Sequence, residues 1–446
     1  MKLAAYHARY FAQELARGIL RLQDEMLRDW NLAKYELRSP RATCPDHIIS
    51  RCGSGDGAGQ LCWQCSRHYN DQHGWQVAER AGGNGISREE TMRILDAIEK
   101  LLLKNDLTRE EASEVTQEIL SGEASPIQEA AFLVALSMKG ETEAELLGVA
   151  SVLRGKTYFF NQHGPVEVGL SSGERRLLLG SHAAEGDAGG DGVASTFNIS
   201  TAVALTVAGA GVRVLQQGYR SQDWGLESSG VLEALGINTQ IPVWKIDRSV
   251  AEVGVGFVFE PVISEVMGCL QFAFREIPVP TIFDLTLPLL NPGGASGLVV
   301  GIHSARLTET MARVVAQMGV GRAFVFHGSD GLDAITNTGP TQLAEVNQGA
   351  IRLHQIQPGD FGFPIARIEE LSGGDAKRNA EIITDILEGK PGARRNVVLL
   401  NAAPAIACAG KARDLAEGVR LAADAIDSGR AASVMEKLAA FTNQTA

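Results

Sequence analysis

Asp187-Ala-Gly-Gly-Asp-Gly-Val-Ala-Ser-Thr-Phe-Asn-Ile-Ser-Thr201 sets a glycine cluster directly ahead of a helix-forming run. Gly189, Gly190 and Gly192 permit a tight turn and bring backbone N–H groups close to a ligand. Asn198, Ser200 and Thr201 stand where the helix begins, and its N-terminus adds oriented donors and partial positive charge. These features describe an anion pocket for a phosphate or pyrophosphate; the plain alternative is a turn that binds nothing. Asp191 would repel a bare phosphate and suits a ribose hydroxyl, an amide or a ligand-borne metal. The spacing G-x-G-x-x-G after a strand is absent, which excludes a dinucleotide fingerprint.

Downstream of about residue 158, short apolar runs read as buried strands: Gly211–Leu215, Leu298–Ile302, Arg322–His327 and Asn396–Leu400. Helical stretches separate them at Thr201–Gly209, Leu226–Leu235, Leu307–Met318, Arg378–Leu387 and Ala412–Ile426. This alternation predicts an α/β fold with a mostly parallel sheet and helices on both faces. Val262–Phe274 interrupts it and reads as a helix that returns to a helical lobe. Upstream, residues 87–155 read as short amphipathic helices, with capping boxes at Ser87/Glu90 and Thr108/Glu111. Apolar stripes run through Ile94, Leu95, Ile98, Leu101 and Leu102, and begin again at Ile127, Ala131, Val134 and Ala135. No such helix buries its face alone, so these pack on one another. The expected organisation is an amphipathic helix within 1–33, an irregular module at 34–85, a helical lobe at 86–157 joined by about 262–285, and an α/β domain at 158–261 and 286–446.

The 34–85 module holds Cys44, Cys52, Cys62 and Cys65, with His47, His68 and His73 beside them. Cys62-Trp-Gln-Cys65 has the C-x2-C spacing that lets two thiolates share a tetrahedral zinc (Zn2+), while Cys44 and Cys52 are spaced more widely than the usual knuckle. A small polar module gains folding energy from such a metal. Free cysteines packed on the helical lobe and a redox C-x-x-C are the other readings, the latter without the preceding strand of thioredoxin-like sites.

The 446 residues are 45% apolar and 21% charged, as in an ordinary globular protein, and the formal net charge of -12 argues against broad binding to nucleic acid or anionic membranes. No apolar run is long enough for a membrane span, and six cysteines in this length make no disulfide framework, so a cytoplasmic location is expected. His303, His327 and His354 lack ligand spacing, and Asp375 with Arg378 reads as a helix start. Asn401 reads as the end of a strand, a cap or cleft residue.

GGDGVASTFNIST resembles the GGDG…NIST segment of the anthranilate phosphoribosyltransferase family. VLEALG (231–236), GVGFVFEP (254–261), PLLNPGG (288–294), VFHGSDGLDAIT (325–336) and PGDFGF (358–363) resemble that family's segments in the same order, as do the stretches 371–403 and 416–431. The likeness covers about residues 88–446. It implies a small helical lobe, a larger α/β lobe and a ligand cleft between them. It also implies phosphoribosyl pyrophosphate as ligand, magnesium (Mg2+) as cofactor, and a homodimer formed through the helical lobe. Gly189, Gly190, Asp191, Gly192, Asn198, Ser200, Thr201 and Arg220 match the phosphoribosyl-donor positions.

Four departures from the family pattern bear on the chemistry. Asp187-Ala188 stands where the family has Gly-Thr. Gln216, Gln217 and Tyr219 replace its lysine, histidine and asparagine, and Asp223-Trp224-Gly225 replaces a Ser-Ser-Lys run. Two positive charges are thereby lost, and a neutral amide does not substitute for a lysine charge. Ser264 and Phe274 occupy the positions of a histidine and of the arginine that holds the anthranilate carboxylate, which disfavours anthranilate. Tyr219, Trp224 and Phe274 suit another flat or apolar acceptor, or fill the pocket themselves. Asp333-Ala334 keeps one carboxylate of a metal-binding Asp-Glu pair. The expected function is phosphoribosyl or glycosyl transfer to an acceptor other than anthranilate. The alternatives are a non-catalytic ligand-binding or scaffolding homologue and a nucleic-acid-binding offshoot.

Overall fold

A computed structural model describes residues 92–157, 163–171, 196–218, 228–259, 277 and 279–444. Outside these lie the helix expected within 1–33, the cysteine module with Cys44, Cys52, Cys62 and Cys65, and the expected Ser87/Glu90 box. So do Gly189, Gly190, Asp191, Gly192, Tyr219, Arg220, Trp224, and Val262–Phe274, expected to be helical.

The chain begins its described part with four helices: α1 (Ile94–Leu102), α2 (Arg109–Leu120), α3 (Pro126–Lys139) and α4 (Glu143–Lys156). Each of the last three starts on a capping box, Thr108/Glu111, Ser125/Gln128 and Thr142/Glu145, which satisfies orphan N–H groups reciprocally. Glu145 has a second task. Fully buried, it accepts from the Leu107 N–H at 2.9 Å and pairs with Lys139 Nζ at 2.9 Å, tying α4 to the α1–α2 link. The apolar stripes divide in a way the spacing did not anticipate. Ile94, Ala97, Leu101, Phe132, Leu133 and Leu136 go inside, whereas Leu95, Leu102, Leu103, Ile127 and Met138 stay exposed.

The sheet contains β1 (Val168–Ser171), β2 (Val214–Gln217), β3 (Val255–Val258), β4 (Gly297–Gly301), β5 (Arg322–Gly328), β6 (Thr341–Asn347) and β7 (Ala350–Ile356). Their order is β3-β2-β1-β4-β5-β6-β7. The first five are parallel; β5–β6 and β6–β7 are antiparallel. The interleaved helices are α5 (Ile199–Gly209), α6 (Ser228–Ala234), α7 (Val243–Glu252), α8 (Ile282–Thr286) and α9 (Thr308–Gln317). After β7 come α10 (Ala376–Leu387), α11 (Ala393–Cys408), α12 (Leu415–Asp427) and α13 (Arg430–Asn443).

Side-chain alternation sorts the core into two faces. Leu170, Val214, Val299, Phe324 and Phe326 pack under α5, α11 and α12. Leu298, Val300, Ala323 and Val325 face α9, α8 and the four-helix lobe, so that lobe and sheet share one continuous core. The order reverses between β1 and β4, and a crevice outside the carboxyl ends of those two strands is where open α/β sheets bind ligands.

Two expectations are corrected. Asn396–Leu400 is not a strand but part of α11, in which every residue from Val397 to Ala407 is buried. A helix covered all round shows no 3.6-residue stripe, so its apolar run imitates a buried strand. The strand expected at Gly211–Leu215 begins at Val214 and runs to Gln217, because Gly211, at φ +83°, belongs to the turn that ends α5.

Candidate functional site

Helix α5 links parallel neighbours β1 and β2, so it runs against them and its N-terminus lies at the strands' carboxyl edge. Asn198 occupies the N-cap without capping the helix by its side chain. Its Oδ1 instead accepts from Asn379 Nδ2 at 3.0 Å, while Asn379 Oδ1 accepts from the Gly374 N–H at 2.8 Å. The 371–379 segment is thus tied to the helix start. An antiparallel bridge joins Thr196 to Ser372, and the Phe197 N–H donates to the Leu371 carbonyl. Gly373 permits this approach, since a Cβ there would stand 2.8 Å from the Phe197 nitrogen. Arg394 donates to the Ser372 carbonyl, and burial together with the nearby Arg378 charge lowers its pKa. The first turn of α5 bears no acidic side chain, which leaves its positive end uncompensated from within the helix. Ser200 is half-buried in that turn and Thr201 fully buried.

Asp333 reaches the same edge on the loop after β5. Gly301, the last residue of β4, lies against it: a Cβ at Gly301 would be 1.7 Å from the Asp333 carbonyl oxygen. The loop is held from both sides. Asp330 accepts from the hydroxyls of Thr336 and Thr338 and from the Leu332 N–H. Asn401 accepts from the Ile335 N–H at 2.8 Å and donates to the Ile335 carbonyl at 2.7 Å. Asn401 therefore sits mid-helix in α11 as the anchor of the Asp333 loop, correcting its reading as a strand end. Glu345 belongs elsewhere, paired with Arg322 at 3.0 Å, and His327 is held by the Ile302 carbonyl. Asp375 caps α10 through the Arg378 N–H, the structural role expected of it.

The end of β2 carries Gln216 and Gln217, 4% and 5% exposed. Gln216 Nε2 donates to the Gln217 carbonyl at 3.2 Å, and Gln217 Nε2 to the Leu287 carbonyl at 3.3 Å. The side-chain oxygens of both are buried and accept no hydrogen bond among the described residues.

Among the described residues, Asp333 offers a metal ion a carboxylate at this edge. Among the described residues no three His, Cys, Asp or Glu side chains cluster as a metal site. Asp333 fits magnesium that is held mostly by a ligand's phosphates, the usual manner for that ion. A cavity of about 260 Å³ lined by Arg154, Leu289, Asn291, Ser296, Met318 and Gly321 lies at the opposite edge, since Ser296 and Gly321 precede β4 and β5. It is no part of this site.

The chain matches the family described as "Glycosyl transferase family, a/b domain" over residues 185–432 and "Glycosyl transferase family, helical bundle domain" over 95–157. It is 41% identical over 360 residues to an anthranilate phosphoribosyltransferase of Geobacter sp. (strain M21), covering 79% of this chain and 99% of that one. The chain belongs to the anthranilate phosphoribosyltransferase family. A second relative of that name, from Geobacter sulfurreducens, is 42% identical over 363 residues, covering 79% of this chain and 100% of its own. The crystal structure of anthranilate phosphoribosyltransferase from Thermus thermophilus aligns with a TM-score of 0.66 at 31% identity, over 78% of this chain and all of the other. A Saccharomyces cerevisiae family member, solved in complex with PRPP and Mg, shares the fold at 20% identity with a TM-score of 0.66, over 78% of this chain and 97% of that one. The family matches begin at residue 95 and do not reach the cysteine module.

Of the donor-binding residues expected from sequence, Asn198, Ser200 and Thr201 lie together at the start of α5, and Asp333 lies at the same sheet edge. Asn379 and Gly301, which position them, carry no signal in the sequence: an amide or a glycine at a close approach is visible only once the fold is known.

Proposed function

We propose that the chain transfers a phosphoribosyl group from the magnesium complex of phosphoribosyl pyrophosphate to an acceptor other than anthranilate. Family membership and the frame around Asn198 and Asp333 support the donor half. The acceptor half is carried by one observation: Ser264 and Phe274 stand where the resemblance places a histidine and the arginine that holds the anthranilate carboxylate. In the transfer the ribose C1–O bond to pyrophosphate breaks, a C1–N bond to an amine acceptor forms, and the nitrogen gives up a proton. Amides of Gly189, Gly190 and Gly192, Asn198, Ser200 and the positive end of α5 hold the leaving pyrophosphate, with Arg220 as a cationic partner. Thr201, being buried, shapes the helix start from beneath. Asp191 takes a ribose hydroxyl. Magnesium, when bound, offsets the charge that builds on pyrophosphate, and Asp333 orients it. Tyr219, Trp224 and Phe274 form the acceptor side.

Calorimetric titration with phosphoribosyl pyrophosphate, with and without magnesium, tests the donor half. Magnesium-dependent heat is expected, and its absence would refute it. Product analysis with anthranilate and a panel of neutral aromatic amines tests the acceptor half, which anthranilate as the preferred acceptor would overturn. Binding with no turnover of any amine would favour the ligand-binding alternative.

Two further parts of the proposal have separate tests. Exposed Leu95, Leu102, Ile127 and Met138 lie on the packed helices α1 and α3, with Leu103 capping α1, and support a homodimer through the helical lobe. Leu102→Asp with Met138→Lys should give monomers in sedimentation. The C-x2-C spacing supports zinc on Cys44, Cys52, Cys62 and Cys65, for which one zinc per chain is expected by metal analysis of reduced protein. Among the described residues no helix is long and apolar enough to cross a membrane.

A further inference from the structure

Gln216 lies on the sheet face covered by α5. Its neighbours across the strands, Leu170 and Phe257, pack on that side, as does Val214 two residues earlier, while Leu215 turns to the opposite face against Ile246 and Val250. It stands at the carboxyl end of β2, the edge from which α5 starts. Its amide orientation is settled by chemistry. Nε2 donates to the Gln217 carbonyl at 3.2 Å, and a flipped amide would set two oxygens against each other there. Oε1 is therefore the free end, buried and without a donor among the described residues. An acceptor left in this state is costly unless something supplies its donor.

We propose that Gln216 Oε1 is a specificity-determining acceptor that receives a hydroxyl of the ligand's ribose and contributes nothing to holding its pyrophosphate. This rests on the phosphoribosyl-site reading above. A carbonyl oxygen repels phosphate oxygens and takes O–H donors, so at this point the site recognises the sugar rather than the leaving group. A ligand with phosphates and no hydroxyl, such as magnesium pyrophosphate, leaves the oxygen unpartnered. Phosphoribosyl pyrophosphate satisfies it.

The full chain carrying Gln216→Met tests this, because methionine keeps the length and removes the acceptor. Urea unfolding without ligand should give a midpoint equal to or above that of the unsubstituted protein, since an unpaired buried oxygen has gone. Calorimetry at pH 8 with magnesium should show about tenfold weaker binding of phosphoribosyl pyrophosphate, the scale of one neutral hydrogen bond left unmade. Magnesium pyrophosphate should bind within twofold of the unsubstituted protein. Deoxyribose analogues lacking either ring hydroxyl give a second measurement that needs no altered stability. One of them should lose the same factor on the unsubstituted protein and little on Gln216→Met. Equal losses for both probes, or unchanged binding of phosphoribosyl pyrophosphate, overturn the inference and leave the donor-site reading standing. If the unsubstituted protein binds neither probe, both fall.

Discussion

Gly301→Ala tests whether the Asp333 loop is positioned by the bare backbone of β4. The new Cβ would stand 1.7 Å from the Asp333 carbonyl oxygen, 2.6 Å from its carbonyl carbon and 3.2 Å from its Cβ. An ordinary carbon contact needs about 3.5 Å, so strand and loop must part by roughly 1.5 Å or more. Neither yields readily. Leu332 and Ile335 are each 1% exposed, Asp330 clamps Thr336 and Thr338, and Asn401 holds both backbone groups of Ile335. Overpacking of this kind costs about 1–3 kcal/mol, and losing the Asn401 bonds adds about 1 kcal/mol. The carboxylate moves with its backbone. A shift of about 1 Å in a positioned group costs on the order of a hundredfold in rate, so turnover should fall at least that far. Urea unfolding gives the first quantity. The second comes from the magnesium dependence of phosphoribosyl pyrophosphate binding and turnover, with Asp333→Asn as a variant that keeps the loop and loses the charge. Gly301→Ala with a stability within about 0.5 kcal/mol of the parent and unchanged magnesium dependence would refute the positioning argument.

Burial pushes the Glu129 carboxyl up to about 7, against an ordinary value of 4.5. Because the folded value is the higher, its stabilising contribution is complete below pH 4.5, declines as pH rises towards 7 and is absent above. Glu129→Gln should therefore gain about 1–2 kcal/mol at pH 8, after screening is allowed for, and almost nothing at pH 4.5; an equal gain at both in urea titrations would contradict this. Asn401→Leu removes both bonds to Ile335 and should cost about 2–3 kcal/mol with a larger loss of magnesium-dependent turnover than of magnesium-free binding; unchanged unfolding would contradict the anchoring role. Burial raises the Cys408 thiol to about 12, so peptide mapping after alkylation at pH 8 should find it unmodified in the folded protein and modified in urea; labelling at equal rates would show that it is not shielded.

Local signals were legible where local physics decides. The Thr108/Glu111 capping box and the Asp375 helix start both form, because each is settled within one helical turn. Strand–helix alternation gave the parallel sheet because a crossover helix between strands leaves them parallel. The β6–β7 hairpin left a trace that could have been read: Gln348 and Gly349, at φ +51° and +80°, make the left-handed two-residue turn that hairpins favour. Helix α11 was misread because periodicity reports contrast between two environments, and a helix buried on every side offers none. The site's supports lie beyond sequence spacing altogether. Asn198 and Asn379 are 181 residues apart, and Ile335 and Asn401 are 66 apart. The packing of α10 and α11 against α5 and β5 brings them together.

The retained and altered residues of this edge differ in how their polar atoms are satisfied. Asn198 Oδ1 is met by Asn379, and both amide ends of Asn401 are engaged by Ile335. These partners are protein, and they fix a frame whether or not a ligand is present. Gln216 and Gln217 are only half-satisfied: the protein fills their donor ends and leaves each buried oxygen without one among the described residues. An edge serving only as packing would gain by filling these positions with apolar side chains of similar volume, which carry no such cost. The arrangement therefore favours a liganded site with altered chemistry over a retired one. It makes a sharp distinction between substitutions: those in the frame should lower stability and function together, whereas apolar replacement of Gln216 should separate them.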